Sequence, residues 1–160
     1  PRRLQLAKEF GADVVIDIGE VRDPEERIRL VREETPGKRG GDIVFECAGV
    51  PAAVPEGLMM TRDSGRFVEL GHFTDTGSVS INPHWHLLRK NIDIFSCWGG
   101  GLQFFLQVVP MLERREYPYE KMVSPIISLD RIKDGIEAIV KRGWKLNGQE
   151  VFKIAVNPWL

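Results

Sequence analysis

"DIVFECAG", residues Asp42 to Gly49, is the stretch on which the fold turns. It is a continuous apolar run, not a period-two alternation, and it closes on a carboxylate, a thiol, a small residue and a glycine. A short unbroken apolar run bounded by turn residues is the pattern of a strand buried on both faces. "GRFVELG" (Gly65–Gly71) and "IDIFSCWG" (Ile92–Gly99) repeat the pattern, each ending in glycine. "PAAVPEGLMMT", between the first two, predicts a helix beginning near Val54, because Pro55 is tolerated only in a first turn. "INPHWHLLRKN" predicts a short helical turn ahead of the third strand.

Upstream, Arg2 to Phe10 carries Leu4, Ala7 and Phe10 at helical spacing, with Gly11 as its stop. "DVVID" (Asp13–Asp17) reads as a short β-branched strand. Asp23 is placed to cap the next helix, with Pro24 at the first helical position and Glu26 completing a capping box. Ile28 and Val31 give that helix a buried stripe. The first hundred residues therefore alternate helix and strand, which argues for an α/β, doubly wound parallel sheet.

The last sixty residues change character. Leu102 to Glu113 reads as an apolar-rich helix, and "YPYEKMVSPI" (Tyr117–Ile126) as loop and short strand. Ser128 is placed to cap a helix bearing Ile132, Ile136, Ile139 and Val140, with Gly143 as its stop. "EVFKIAVNP" (Glu150–Pro158) closes the chain as a strand.

The 160 residues are 42% hydrophobic and 28% charged, with net charge -1, so electrostatic capture of nucleic acid or of an anionic membrane is not expected. No apolar run approaches the roughly 18 residues of a membrane helix. Two cysteines, Cys47 and Cys97, make a poor disulfide framework and point to the cytoplasm. "PGKRGG" lacks the Gly-x-x-x-x-Gly-Lys-Ser/Thr spacing of a phosphate loop. His84 and His86 with His72 upstream lack an accompanying cysteine or acid cluster in sequence, so no metal ligand is assigned. Glu46 reads first as a supporting hydrogen-bonding residue and Cys47 as a small hydrophobe.

In a doubly wound sheet, ligands bind beyond the carboxyl ends of the strands. "ECAG", "ELGH" and "SCWGGG" are three such ends, and parallel neighbours would line one crevice with them. Glycine after each strand would let a flat ligand approach the backbone.

The order "RLQLAKEFGADVVID", "DIVFECAG", "GRFVELGHF", "IDIFSCWGG" and "LDRIKDGIEAIVKRG…VFKIAV" resembles the carboxyl-terminal part of zinc-dependent medium-chain alcohol dehydrogenases. The resemblance implies a partial Rossmann domain and a return segment to a second domain. Residues 1–98 would be the partial NAD(P)-binding domain, lacking its first two strands, with "DVVID" as strand 3. Residues 99–160 would be the carboxyl-terminal segment of a GroES-like catalytic domain. The chain would then be a fragment, inactive alone. The Gly-x-Gly-x-x-Gly turn, the acidic ribose residue and the zinc ligands would all lie outside it.

The same resemblance implies the site. NAD(H) or NADP(H) is the expected cofactor, with zinc in the intact parent. Cys47, Ala48 and Gly49 would line the nicotinamide, and Leu70, Ser96 and Trp98 would hold its carboxamide. Arg3 would contact the adenosine ribose and Lys153 the pyrophosphate. No residue is assigned as catalytic. The substrate would be a small alcohol or carbonyl compound. A homo-oligomer would form through the sheet edge near strand 6, the "IDIFSCWG" strand. An S-adenosylmethionine methyltransferase-like domain, a zinc-independent quinone-reductase-like or crystallin-like relative, and a bare interaction module are the alternative readings.

Overall fold

Strands β1 (Gly41–Glu46), β2 (Thr61–Glu69) and β3 (Asp93–Ser96) lie side by side in that order, all parallel. A computed structural model of the chain describes residues 2–141 and 143–160. It divides into two compact units, one of residues 16–103 and one of residues 2–15 with 104–160. None of the helices among the described residues is long and apolar enough to cross a membrane.

In the first unit, helix α2 (Pro24–Glu33) is capped by the Asp23 carboxylate, which accepts from the Glu25 amide at 3.2 Å. The expected capping box is only half formed, because the Glu26 side chain turns to Arg29 instead. Helix α3 (Ala53–Met60) links β1 to β2, with Pro55 in its first turn. An ion pair of Arg27 and Glu56, bidentate at 2.6 Å, ties α2 to α3. Gly57 brings α3 down onto Phe67 of β2, where even a methyl group would meet the ring at 2.7 Å. Leu58, Phe67 and Ile28, 1%, 2% and 5% exposed, are the buried large apolar side chains among the described residues of this unit. The segment "INPHWHLLRKN" forms a wide helical turn of π type at His84–Leu88.

The ladder runs Ile43–Arg66–Asp93 through Glu46–Glu69–Ser96, so the three carboxyl ends finish level. The expected strand at Asp13–Asp17 does not form. A parallel strand needs a hydrogen-bonded neighbour, and among the described residues that segment has none, while Val14 and Ile18 stay exposed.

In the second unit, helix α1 (Arg2–Glu9) ends at Gly11, whose φ of 91° is the left-handed stop the sequence predicts. Helix α4 (Leu102–Arg114) falls to this unit from Phe104 onward. Strand β4 (Val123–Ile127) pairs in parallel with the last strand, Lys153–Val156. Helix α5 (Ile132–Val140) starts later than expected, because Ser128 leads into a 3-10 turn and makes no side-chain cap. It ends at Val140, with Lys141 as its C-cap, before Gly143. A hairpin not expected from the sequence joins β5 (Lys145–Leu146) to β6 (Gln149–Glu150), and the closing strand is thus β7 (Lys153–Val156). Its turn is Asn147-Gly148, both at positive φ, the strongest short hairpin signal. Ile127, Ala138, Leu146 and Val151 are the core of this unit.

Candidate functional site

β1 and β2 end on the same device. The Glu46 carboxylate turns back, and its Oε1 accepts from the amides of Ala48 at 2.7 Å and Gly49 at 3.0 Å. The Glu69 Oε1 does likewise for Gly71 at 3.0 Å and His72 at 3.1 Å. Each loop leaving the sheet would otherwise leave amides unpaired at a partly buried strand end, where an unmet donor is costly. The carboxylate at the end of an apolar strand is thus a loop clamp. The supporting role read for Glu46 fits this contact.

The two clamps meet at His72. Its Nδ1 lies 3.0 Å from Glu69 Oε1 and 3.3 Å from Glu46 Oε2. Glu46 is 4% exposed, and its Oε2 makes no hydrogen bond among the described residues. The hydrogen bond to Glu69, then the charges of Glu69 and Glu46, raise the His72 pKa against its partial desolvation. For Glu69, burial works upward, but its hydrogen bonds with His72 outweigh it and the pKa is lowered.

His72 therefore stabilises the fold fully below its ordinary value of 6.5, and that contribution is lost as pH rises through the raised value. Glu69 contributes above its ordinary 4.5 and loses the contribution as pH falls through its lowered value. Thermal melts should therefore show stability falling above pH 6.5 in the native chain. That descent should flatten in His72→Gln. An equally steep descent in the variant would remove His72 as the origin.

The glycines that follow do not open the backbone as the sequence analysis expected at two of three positions. Gly49, at φ 62°, and Gly71 pack against one another, and a Cβ on Gly49 would lie 2.4 Å from the Gly71 carbonyl oxygen. Gly99 alone of the three has open space around its Cα. Near it, Trp98 stacks on Phe73 with ring centres 5.5 Å apart, and its Nε1 donates to the Phe73 carbonyl at 3.2 Å. Both rings stay largely exposed.

Six of the eight sequence-assigned residues, Cys47, Ala48, Gly49, Leu70, Ser96 and Trp98, therefore sit at or just beyond three adjacent carboxyl ends in one unit. Cys47 and Ala48 also line a mainly apolar cavity of about 460 Å³ between β1 and α3. Arg3 and Lys153 belong to the other unit. There the Arg3 guanidinium donates to Glu150 at 3.0 Å and to the Val151 carbonyl at 2.7 Å, and lies over the Trp144 ring. Glu69 and the meeting of His72 with two acids escaped the sequence analysis, because a strand-end clamp looks like an ordinary surface acid in sequence. The repeated spacing, Glu46 with Gly49 and Glu69 with His72, was the available signal.

The cluster of Glu46, Glu69 and His72 does not fit a catalytic zinc. Its three candidate ligand atoms lie within 4.8 Å of one another. However, the amides already occupy one oxygen of each acid, and a catalytic zinc also keeps an open position.

Comparison with known proteins agrees with this geometry. A family model described as zinc-binding dehydrogenase matches residues 1–114. The chain is 34% identical over 145 residues to 5-exo-hydroxycamphor dehydrogenase of Pseudomonas putida, across 89% of this chain and 39% of that protein. It superimposes on an alcohol dehydrogenase from Thermotoga maritima with a TM-score of 0.84, at 24% identity, over 98% of this chain and 40% of that one. A putative zinc-binding dehydrogenase from Sinorhizobium meliloti, bound to NADP, gives a TM-score of 0.78 at 22% identity, over 98% and 42%. At those identities the two structures show the fold alone. The chain spans about two fifths of the length of the relatives it matches.

Proposed function

The chain belongs to the zinc-binding dehydrogenase family, and from that premise we propose that it supplies the nicotinamide end of the cofactor site in an NAD(P)-dependent alcohol dehydrogenase. The observation that carries this reading is the level finish of three parallel strands at Glu46, Glu69 and Ser96. In open parallel sheets the crevice beyond such ends is where ligands bind. The reaction would join a small alcohol to its carbonyl product, the class to which the named relatives' substrates belong.

The cofactor, when bound, exchanges hydride at its nicotinamide ring. This chain's residues would orient it. Cys47, Ala48 and Gly49 form a loop held rigid by Glu46, suited to support one face of a ring. The main chain at Leu70, Ser96 and Trp98 offers polar groups at the neighbouring ends. The exposed pair of Trp98 and Phe73 offers an apolar wall that excludes water from one side. Arg3 and Lys153 are proposed as cofactor contacts on their own unit, where Arg3 is engaged by Glu150 and Lys153 makes no ion pair among the described residues.

Residues 1–98 are assigned to the cofactor domain and 99–160 to the catalytic domain as part of the same proposal. Zinc, where the enzyme uses it, would be held by parts of the longer protein that this chain does not span. The same proposal has a second copy joining along β3. That strand is an edge of its sheet, and Ile94 and Phe95 are half exposed there. A strict monomer in size exclusion of the whole enzyme would sink the second-copy assignment.

The cofactor reading is tested by titrating NADH and NADPH into the enzyme that carries this chain. Tryptophan emission should be quenched, and the quench should shrink in Trp98→Phe. If neither nucleotide quenches emission or raises the melting temperature at saturation, the reading fails.

A further inference from the structure

The opposite ends of the same three strands carry a second cavity, of about 490 Å³, lined by Arg32, Lys38, Arg39, Asp63, Arg89 and Lys90, with Met59 and Trp85. Lys38 and Arg39 directly precede β1, Met59 precedes β2, and Lys90 precedes β3. Five cations therefore face one acid. Elsewhere in this unit Arg27, Arg29, Arg62 and Arg66 each have a carboxylate partner within 4 Å. Among the described residues, none of the five cations lining this cavity has one.

The interior of the cavity is charged but unfinished. Lys90 is 6% exposed, and its ammonium donates to the carbonyls of Leu58, Met59 and Thr61. This satisfies the carboxyl end of α3 with all three of its protons, so it offers a ligand charge rather than a hydrogen bond. Arg32 donates to the same Met59 carbonyl at 2.9 Å, and its Nε–H is buried without a partner. Two cations share one neutral oxygen here. Burial, and then the charge of Arg32, push the Lys90 pKa down to about 8, the direction expected of a cation that lacks a counter-charge. At the mouth, the Arg89 guanidinium lies 4.6 Å over the Trp85 ring. That stacking holds the planar fork flat and leaves its edge donors free.

We propose that this cavity is a binding site for a small phosphate-bearing anion, separate from the cofactor crevice at the other end of the strands. Arginine forks suit phosphate oxygens in bidentate geometry. Arg32, which has no carboxylate partner among the described residues, adds charge to the wall, and Lys90 supplies a positive floor. The volume suits a small molecule carrying a phosphate or diphosphate group, within the roughly 300–1,000 Å³ of ligand pockets.

The test is calorimetric titration of the enzyme that carries this chain with inorganic pyrophosphate, at ionic strength matched with sodium chloride. Saturable binding is expected. It should weaken at least tenfold in the double variant Arg39→Gln, Arg89→Gln. Both residues are exposed and without a carboxylate partner among the described residues, so an unchanged melting temperature without ligand should show that the variant folds. Unaltered pyrophosphate affinity in the double variant would overturn the assignment, as would a signal that chloride alone reproduces. Binding of a single-stranded oligonucleotide without binding of pyrophosphate would replace the small molecule by a nucleic-acid backbone and overturn it too. In the whole enzyme, saturating NADH should leave the pyrophosphate affinity unchanged, and direct competition would place the anion in the cofactor site instead.

Discussion

Gly71→Ala is expected to destabilise the first unit by about 3 kcal/mol, the upper end of the usual cost of overpacking. The new methyl group would lie 2.1 Å from Glu46 Oε2 and 2.5 Å from the Gly49 amide nitrogen. Neither can retreat easily. Glu46 is pinned through its other oxygen by two amides, and Gly49 is in turn pressed against the Gly71 carbonyl. The penalty is steric, because Gly71 is not among the residues of positive φ. Urea unfolding of the variant and parent checks it. A loss under about 1 kcal/mol would mean that the two loops separate at little cost, against the close packing expected of such a site.

Glu46→Ala should cost a similar amount, about 3 kcal/mol, since hydrogen bonds to a charged group contribute about 1.5–3 kcal/mol each and are not additive. The substitution leaves the amides of Ala48 and Gly49 without their acceptor and removes one of the two acids beside His72. Glu46→Gln separates the two roles. The amide oxygen can still accept from both loop amides, while the second position loses its charge. The glutamine variant should therefore recover most of the stability, falling within about 1 kcal/mol of the parent, an ordinary mutational cost. If glutamine is as damaging as alanine, the charge facing His72 outweighs the loop clamp. In the whole enzyme, the alanine variant should also weaken NADH binding, because the loop that would support the ring is freed.

These two residues show what was legible beforehand. The three strands could be read from apolar runs closing on glycine, but the expected burial on both faces is not seen, because Ile43, Phe45, Ile94 and Phe95 are about half exposed. That Glu46, Glu69 and Ser96 finish level followed from parallel order. The partnership of Gly49 with Gly71 did not follow, because their packing depends on how two loops leave neighbouring strands. Glycine in sequence says only that a side chain is unwelcome, not whether a ligand or another backbone takes the space. "DVVID" misled for a related reason. Its composition favours a strand, but a strand exists only with a neighbour, and pairing is not a local property. The Asn147-Gly148 turn is legible as a turn, but the flanking "KL" and "QE" are too short to register as strands. Lys90 was hidden altogether, because a lysine that closes a helix end looks like any surface cation.

The pair of strand-end acids also shapes the behaviour of Cys47. This thiol is exposed, yet partial burial, then the charges of Glu46 and Glu69, raise its pKa above the ordinary value. Nucleophilic attack and oxidation both proceed through the thiolate. Partial burial first, and the two clamp acids second, therefore favour the thiol over the more reactive thiolate at this position.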